Sequence, residues 1–253
     1  MFFARLRPGQ VAAAAPFQPA LRPGLRIYAI GDIHGRLDLL QSLSVKILQD
    51  LMGAPCDAAT IVLLGDYIDR GPDSAGVVEF LSAESFPGQT VALRGNHEAI
   101  FLKFLEDPGV LDSWRQYGGL ETLASYGVDV KEAMRGRNFD KARDELLCLL
   151  PERHLEFLAN TRLSFEADDY FFCHAGVRPD VPLAQQREED LLWTRGRFNA
   201  HKGAFEKVIV HGHTPVDAPQ SMLYRINVDT GAYATGSLSC VVLEGAARRF
   251  LAT

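Results

Sequence analysis

The chain predicts an α/β fold in one domain. Three observations carry this. Short apolar runs recur between Arg26 and Leu243, each leading into a glycine and a polar side chain. Segments with helical periodicity lie between the early runs, which implies βαβ units. A length of 253 residues fills one such domain without requiring a second.

Taken in order, residues 1–24 stand apart. They are rich in Ala and Pro, carry Arg5, Arg7 and Arg22, and hold no acidic residue, so they read as a flexible leader to a domain at 25–253. The first strand, 26–30, runs into Gly31-Asp32-Ile33-His34-Gly35. Leu37, Leu40, Leu43, Ile47, Leu48 and Leu51 then recur at helical spacing, giving a helix to about Met52. A second strand, 60–64, ends in Gly65-Asp66-Tyr67-Ile68-Asp69-Arg70-Gly71, followed by a helix over 74–81. The third, 90–94, leads to Gly95-Asn96-His97-Glu98 and a helix over 99–105. Residues 107–165 change character and read as a helical insertion covering one side of the site. It holds Trp114-Arg115-Gln116-Tyr117-Gly118-Gly119, helical patterns at 120–126 and 142–150, and a helix opened by Pro151 that runs through Leu158. Strands resume at 170–173, before His174; at 191–195, after Glu188-Glu189-Asp190; at 207–210, before His211-Gly212-His213-Thr214-Pro215; and at 225–228, before Asp229-Thr230-Gly231. A last strand, 238–243, closes the pattern.

Composition excludes some classes of function. The formal charge is −6 with no basic stripe, which argues against a nucleic-acid surface. No apolar run is long enough to span a bilayer, so no membrane partner is expected. Cys56, Cys148, Cys173 and Cys240 lie far apart without a CxxC pair and read as free thiols in a reducing cytoplasm.

Chemistry enters at the strand ends. Asp32, His34, Asp66, Asn96, His174 and His213 all fall where α/β folds gather ligands, beyond the carboxyl ends of strands. Singly, an Asp before a turn or a His after a strand has an ordinary structural reading; the set points to metal. Carboxylate, imidazole and amide oxygen without thiolate suit Mn, Fe or Zn. Six side chains exceed what one catalytic ion needs, so two ions sharing Asp66 fit better. His97 adjoins Asn96 but should point elsewhere, which suits a general acid whose tautomer Asp69 fixes. Arg70 can hold phosphate oxygens bidentately. His154, flanked by Arg153 and Glu156, reads as a surface histidine. His211 and His213 could share a face of one strand, with one of them standing behind the ligand. Asp229 either orients a ligand histidine or caps a turn, and is left outside the site.

The motifs Gly31-Asp32-Ile33-His34-Gly35, Gly65 to Gly71 and Leu93-Arg94-Gly95-Asn96-His97-Glu98 resemble the PPP family of metal-dependent serine/threonine protein phosphatases, within the broader metallophosphoesterase class. The Trp114 to Gly119 stretch and the short Trp193-Thr194-Arg195 element resemble its compact bacterial and phage-lambda type. The resemblance implies a four-layer αββα sandwich, a β-sandwich flanked by helices on both sides. It implies one divalent ion on Asp32, His34 and Asp66, and a second on Asp66, Asn96, His174 and His213, with manganese the expected metal. A bridging hydroxide would attack, His97 paired with Asp69 would protonate the leaving group, and Arg70, Asn96 and Arg195 would bind the phosphate. Arg197 is the alternative to Arg195, because the eukaryotic form has a longer stretch between its tryptophan and this arginine. The implied substrates are phosphoproteins bearing phosphoserine and phosphothreonine, with phosphotyrosine as an extension. The rival enzyme is a dinucleoside tetraphosphatase; that branch typically lacks the aspartate at Asp69 and has Asp in place of Glu98, so both residues favour the protein phosphatase. A non-catalytic scaffold would have lost ligands, and none is lost.

Asp66→Asn is expected to abolish metal loading and turnover together, read by elemental analysis and phosphate release. Unchanged turnover would sink the two-metal reading.

Overall fold

The computed structural model describes residues 18–83 and 85–253. Two five-stranded sheets lie face to face. The first contains β1 (Leu25–Ile30), β2 (Ala58–Leu63), β3 (Gln89–Ala92), β9 (Ser239–Glu244) and β10 (Ala247–Ala252), in the order β10-β9-β1-β2-β3. The second contains β4 (Ser164–Ala167), β5 (Tyr170–Cys173), β6 (Val208–His211), β7 (Gln220–Ser221) and β8 (Arg225–Asn227), in the order β4-β5-β6-β8-β7. β1, β2 and β3 run parallel, as do β5, β6 and β8. Their carboxyl ends therefore meet at one edge of the sandwich.

The alternation of strand side chains explains the layers. Ile27, Ala29, Val62, Leu64 and Val91 face inward and meet Tyr170, Phe172, Val208, Val210 and Ile226 of the second sheet. Tyr28, Ile30, Ile61 and Leu63 face outward and are covered by α1 (Leu37–Gly53), α2 (Ser74–Ser82) and α3 (Asn96–Glu106), through Leu40, Leu43, Ile47, Val77 and Phe101. The insertion between β3 and β4 extends this layer with α4 (Leu111–Trp114), α5 (Gly119–Ser125), α6 (Lys131–Met134), α7 (Phe139–Leu149) and α8 (Glu152–Ala159). Beyond the second sheet, Phe171, Cys173 and Ile209 pack against Leu191 of α9 (Glu188–Trp193) and Phe198 of α10 (Gly196–Ala200). A last short helix, α11 (Ala232–Thr235), follows β8. The order is helix, sheet, sheet, helix, the αββα sandwich expected.

Four expectations need correction. Residues 191–195 are not a strand. Leu191 to Trp193 lie in α9, whose first turn carries Glu188, Glu189 and Asp190, and acidic side chains there complement the helix dipole. The pattern does not close at residue 243: β10 follows, an edge strand whose Arg248 and Arg249 obscure its alternation. Residues 20–22 do not belong to a flexible leader. Leu21 is buried in the layer between the sheets and donates its N–H to Gly245 O at 2.9 Å, while Ala20 and Arg22 donate theirs to Asp169 and Asp168. The remainder of that expected leader, residues 1–17, lies outside the described residues. Finally, His154 is buried, not on the surface. Its Nδ1 lies 3.0 Å from Tyr126 Oη and its Nε2 lies 2.9 Å from a Glu79 oxygen, so it ties α8 to α2 and the end of α5. Its sequence neighbour Arg153 is exposed yet pairs with the same Glu79 oxygen, so charged neighbours misrepresent the burial of His154. Among the described residues no helix is long and apolar enough to cross a membrane, and none of the four cysteines is paired.

His154→Ala leaves the buried Tyr126 hydroxyl without its partner. It should lower unfolding free energy by about 1–3 kcal/mol in urea titration and leave kcat at the wild-type value.

Candidate active site

The loops after β1, β2, β3, β5 and β6 are stitched to one another by their own backbones. Ile33 and His34 both donate N–H to Asp66 O, at 3.0 and 2.9 Å, and Gly35 donates to Tyr67 O at 2.8 Å. Glu98, fully buried at the start of α3, accepts the N–H groups of Asp66, Tyr67 and Gly95 at 2.8 Å each and that of Ile68 at 3.4 Å. Asp32 accepts the His213 N–H with both oxygens, at 3.2 and 3.0 Å. Gly212 donates to His174 O at 2.8 Å. These approaches demand glycine where backbone meets carboxylate. A Cβ on Gly95 would stand 2.1 Å from Asp66 Oδ1, and one on Gly212 would stand 2.0 Å from Asp32 Oδ1.

Asp66 is the centre. Its Oδ2 faces His34 Nε2 at 3.6 Å, and its Oδ1 faces His174 Nε2 at 3.4 Å. His34 Nδ1 lies 2.9 Å from Ile68 O, and His174 Nδ1 lies 3.0 Å from Leu64 O. A carbonyl only accepts, so each Nδ1 carries the proton and each Nε2 turns a lone pair toward Asp66. Asn96 Oδ1 and His213 Nδ1 join His174 Nε2 at 2.9 and 3.0 Å. Two groups of potential ligand atoms result, His34–Asp66–His97 and Asp66–His174–His213, with Asp66 common to both. Burial keeps these imidazoles neutral, pushing His34 down to about 3 and His213 to about 2, with His174 lowered in the same direction. Burial also opposes charge on Asp66, but His174, His97, His34 and His213 outweigh it and hold the carboxyl below the usual range.

Three further side chains surround this centre. His97 Nδ1 lies 2.5 Å from Asp69 Oδ2, and its Nε2 faces Asp66 Oδ2 at 3.8 Å and Arg70 Nη2 at 3.2 Å. Burial works against charge on His97, while Asp66 and Asp69 outweigh it and raise its pKa. Arg195 donates Nε–H to His213 Nε2 at 2.8 Å. The array combines lone-pair donors for cations, a histidine with a fixed tautomer, and two guanidinium groups, which is the equipment of phosphoryl transfer.

The chain matches the calcineurin-like phosphoesterase model over residues 25–238. The chain belongs to this family. Serine/threonine-protein phosphatase 2 of Escherichia coli (strain K12) is 28% identical over 221 residues, covering 84% of this chain and 90% of its own length. Bis(5'-nucleosyl)-tetraphosphatase PrpE [asymmetrical] of Bacillus thuringiensis (strain Al Hakam) is also 28% identical, over 232 residues, covering 84% and 88%. Among solved structures, a provisionally assigned diadenosine tetraphosphatase superposes with a TM-score of 0.60 at 20% identity, over 93% of this chain and 98% of that one. A cold-active protein-tyrosine phosphatase of a psychrophilic Shewanella does so with 0.56 at 16%, over 92% and 83%. These two share the fold.

Within this phosphoesterase, the remaining motif residues are placed as follows. Asp32 adjoins the two ligand groups, with its carboxylate on the His213 N–H. Burial first, then Asp229 and Asp66, push its pKa well above the usual carboxylate range. His97 Nε2 lies close enough to His34 and Asp66 to fall within the first group. Arg197 points to the surface, where it pairs with Asp180 at 3.2 Å, so Arg195 is the arginine at the site. His211 is fully buried behind His213 and rests edge-on against Phe198, with ring centroids 5.0 Å apart. Asp229 caps its turn by accepting the Gly231 N–H at 2.8 Å. Four contributors escaped the sequence reading: Trp114 and Thr122, which donate to Asp69; Glu98 as the staple between loops; and Tyr233, whose ring lies 4.8 Å beneath the Arg70 guanidinium. The Trp114-to-Gly119 stretch was the signal available for the first two.

Glu98→Ala strips one acceptor from the backbone of two motif loops. It should cost about 3 kcal/mol or more in denaturant unfolding and weaken retention of divalent ions, measured by dialysis against a chelator.

Proposed function

We propose that this phosphoesterase removes phosphate from phosphoserine and phosphothreonine in proteins, using two divalent ions, with manganese the expected metal. The observation that carries the proposal is the two-sided Asp66 carboxylate, with the His97–Asp69 pair beside it. The residues fit a metal pair. Lone pairs of His34 and His174 face the Asp66 oxygens with no proton between them, and Asn96 Oδ1 meets the same His174 lone pair at 2.9 Å, a repulsive arrangement that cations neutralise. Asp32 and Asp229 add two more buried carboxylates nearby. His34 and Asp66, with Asp32 alongside, would hold one ion; Asp66, Asn96, His174 and His213 would hold the other. Bound there, two divalent ions supply Lewis-acid polarisation of the phosphoryl group and acidify a water to near neutrality.

The chain's own groups do the rest. Arg70 and Arg195 hold the phosphoryl oxygens, and Asn96, at the first position of α3, lies within reach of the same group. Asp69 accepts the Nδ1–H of His97, so Nε2 is the nitrogen left to serve the leaving oxygen. Nε2, freed of Arg70, is protonated from solvent; as a hydroxide oxygen bonds to phosphorus and the ester P–O bond breaks, the ester oxygen takes that proton and departs as an alcohol. Arg70, drawn to phosphate, gives up its contact with Nε2. The Escherichia coli relative's name, together with Asp69 and Glu98, supports a protein substrate. Four unpaired thiols support a cytoplasmic location.

A second reading, dinucleoside tetraphosphate hydrolysis, has its own support. Of the exposed aromatics among the described residues, Trp193 and Tyr233 border this site. Trp193 lies 6.4 Å from the His213 ring and Tyr233 lies 5.4 Å from that of His34. Such faces can stack a base.

The test is kcat/KM of the Mn²⁺-reconstituted enzyme on a phosphothreonine peptide, a phosphotyrosine peptide and diadenosine tetraphosphate in one assay. Tenfold or greater preference for phosphothreonine supports the proposal; preference for the dinucleotide transfers the function to the second reading.

A further inference from the structure

Asp69 is fully buried, and its two carboxylate oxygens are shared among three donors. Oδ2 takes His97 Nδ1–H at 2.5 Å and Trp114 Nε1–H at 2.6 Å, and Oδ1 takes the Thr122 hydroxyl at 2.5 Å. Two of the three come from the helical insertion, from α4 and α5. The Thr122 oxygen in turn accepts the Asp69 N–H at 2.9 Å, and Ser74 Oγ lies 3.0 Å from it. The Thr122 proton is committed to the carboxylate, so Ser74 is the donor in that last contact.

The insertion also grips the backbone around the carboxylate. Asp69 and Arg70 have φ of 74° and 67°, left-handed values that cost non-glycine residues free energy and persist only where neighbours impose them. Gly118 O accepts the Arg70 N–H at 3.3 Å, and a Cβ on Gly118 would stand 2.3 Å from that nitrogen. A Cβ on Gly119 would stand 2.4 Å from the Trp114 ring. The two glycines thus let α5 lie against both the indole and Arg70. Trp114 itself packs against Phe101 and Phe104 of α3, the helix that presents His97, at centroid distances of 5.9 and 5.2 Å. One rigid indole therefore touches Asp69 and the helix that carries His97.

We propose that Trp114 and Thr122 are positioning residues for the leaving-group proton. By clamping both oxygens of Asp69, they fix the plane in which it receives His97 Nδ1–H, and hence the direction of Nε2. This makes the insertion part of the acid machinery as well as a cover for the site. The inference rests on His97 acting as the general acid, and the experiment separates the two.

Thr122→Val, Thr122→Ser and Trp114→Phe would be assayed with Mn²⁺ on two substrates. One is 4-nitrophenyl phosphate, whose leaving group needs no proton; the other is a phosphothreonine peptide, whose alkoxide does. His97→Asn serves as the benchmark. Metal content and thermal melting accompany each variant. General acid catalysis contributes roughly 10²–10⁴-fold. Thr122→Val and Trp114→Phe are therefore expected to lower kcat on the peptide about tenfold or more and on 4-nitrophenyl phosphate less than about threefold, with KM and metal content unchanged. Thr122→Ser should recover the peptide rate. Equal losses on both substrates, or no loss, in whichever of the two variants folds would overturn the proposal. Equal losses in His97→Asn would instead overturn the acid role itself. A selective loss in His97→Asn without one in the positioning variants would leave the acid in place and remove the insertion from it.

Discussion

A single carboxylate that must face two ways organises this molecule. Asp66 turns one oxygen to His34 and the other to His174. The two histidines come from different sheets: one follows β1, the other follows β5. A buried anion in that position is costly unless its surroundings compensate it. The start of α3 does so in part, the His97 N–H donating to Asp66 Oδ1 at 3.2 Å, and His97, whose pKa is raised, faces the other oxygen. The face-to-face sheets serve this end by bringing two sets of strand termini to one edge.

Holding such a centre takes backbone that sequence propensity disfavours. Of the eight non-glycine residues with positive φ among those described, His34, Asp66, Asp69, Arg70 and His213 belong to the site. Each costs on the order of 1–3 kcal/mol. The compensation is local and polar. Glu98 gathers N–H groups from two loops, Asp32 receives His213, and the carbonyl of Asp66 receives the loop after β1. Strain and hydrogen bonding are concentrated at one edge, and the apolar layers below supply the bulk of the stability.

Much of this was legible in the sequence. Strands that end in glycine and a ligand-type side chain announced the architecture and the edge where chemistry gathers, because period-2 burial and turn chemistry are local properties. The αββα layering came from the resemblance and not from periodicity. What stayed hidden depends on contacts distant in the chain. Trp114 and Thr122 lie 45 and 53 residues from Asp69, and nothing local to either reveals that partner. His154 looked exposed because its neighbours are charged, yet a helix turns each residue 100° from the last. The segment 191–195 offered too few residues to tell a buried strand from a short amphipathic helix, and the acidic residues ahead of it decided for helix.

Residues 20–22 acquire a mechanical meaning from this arrangement. They fasten the turn between β9 and β10, at Gly245, to the turn between β4 and β5, at Asp168 and Asp169. Those turns belong to different sheets and lie at the edge opposite the site. Strands of this length place the two edges about 20 Å apart. The sandwich is therefore pinned at both ends, by a peptide strap below and by Asp66 facing His174 above. Any sliding of one sheet over the other must strain the strap or open the gap between those two side chains. The spacing of the upper pair is thus a property of the whole double sheet, with the strap as its far anchor.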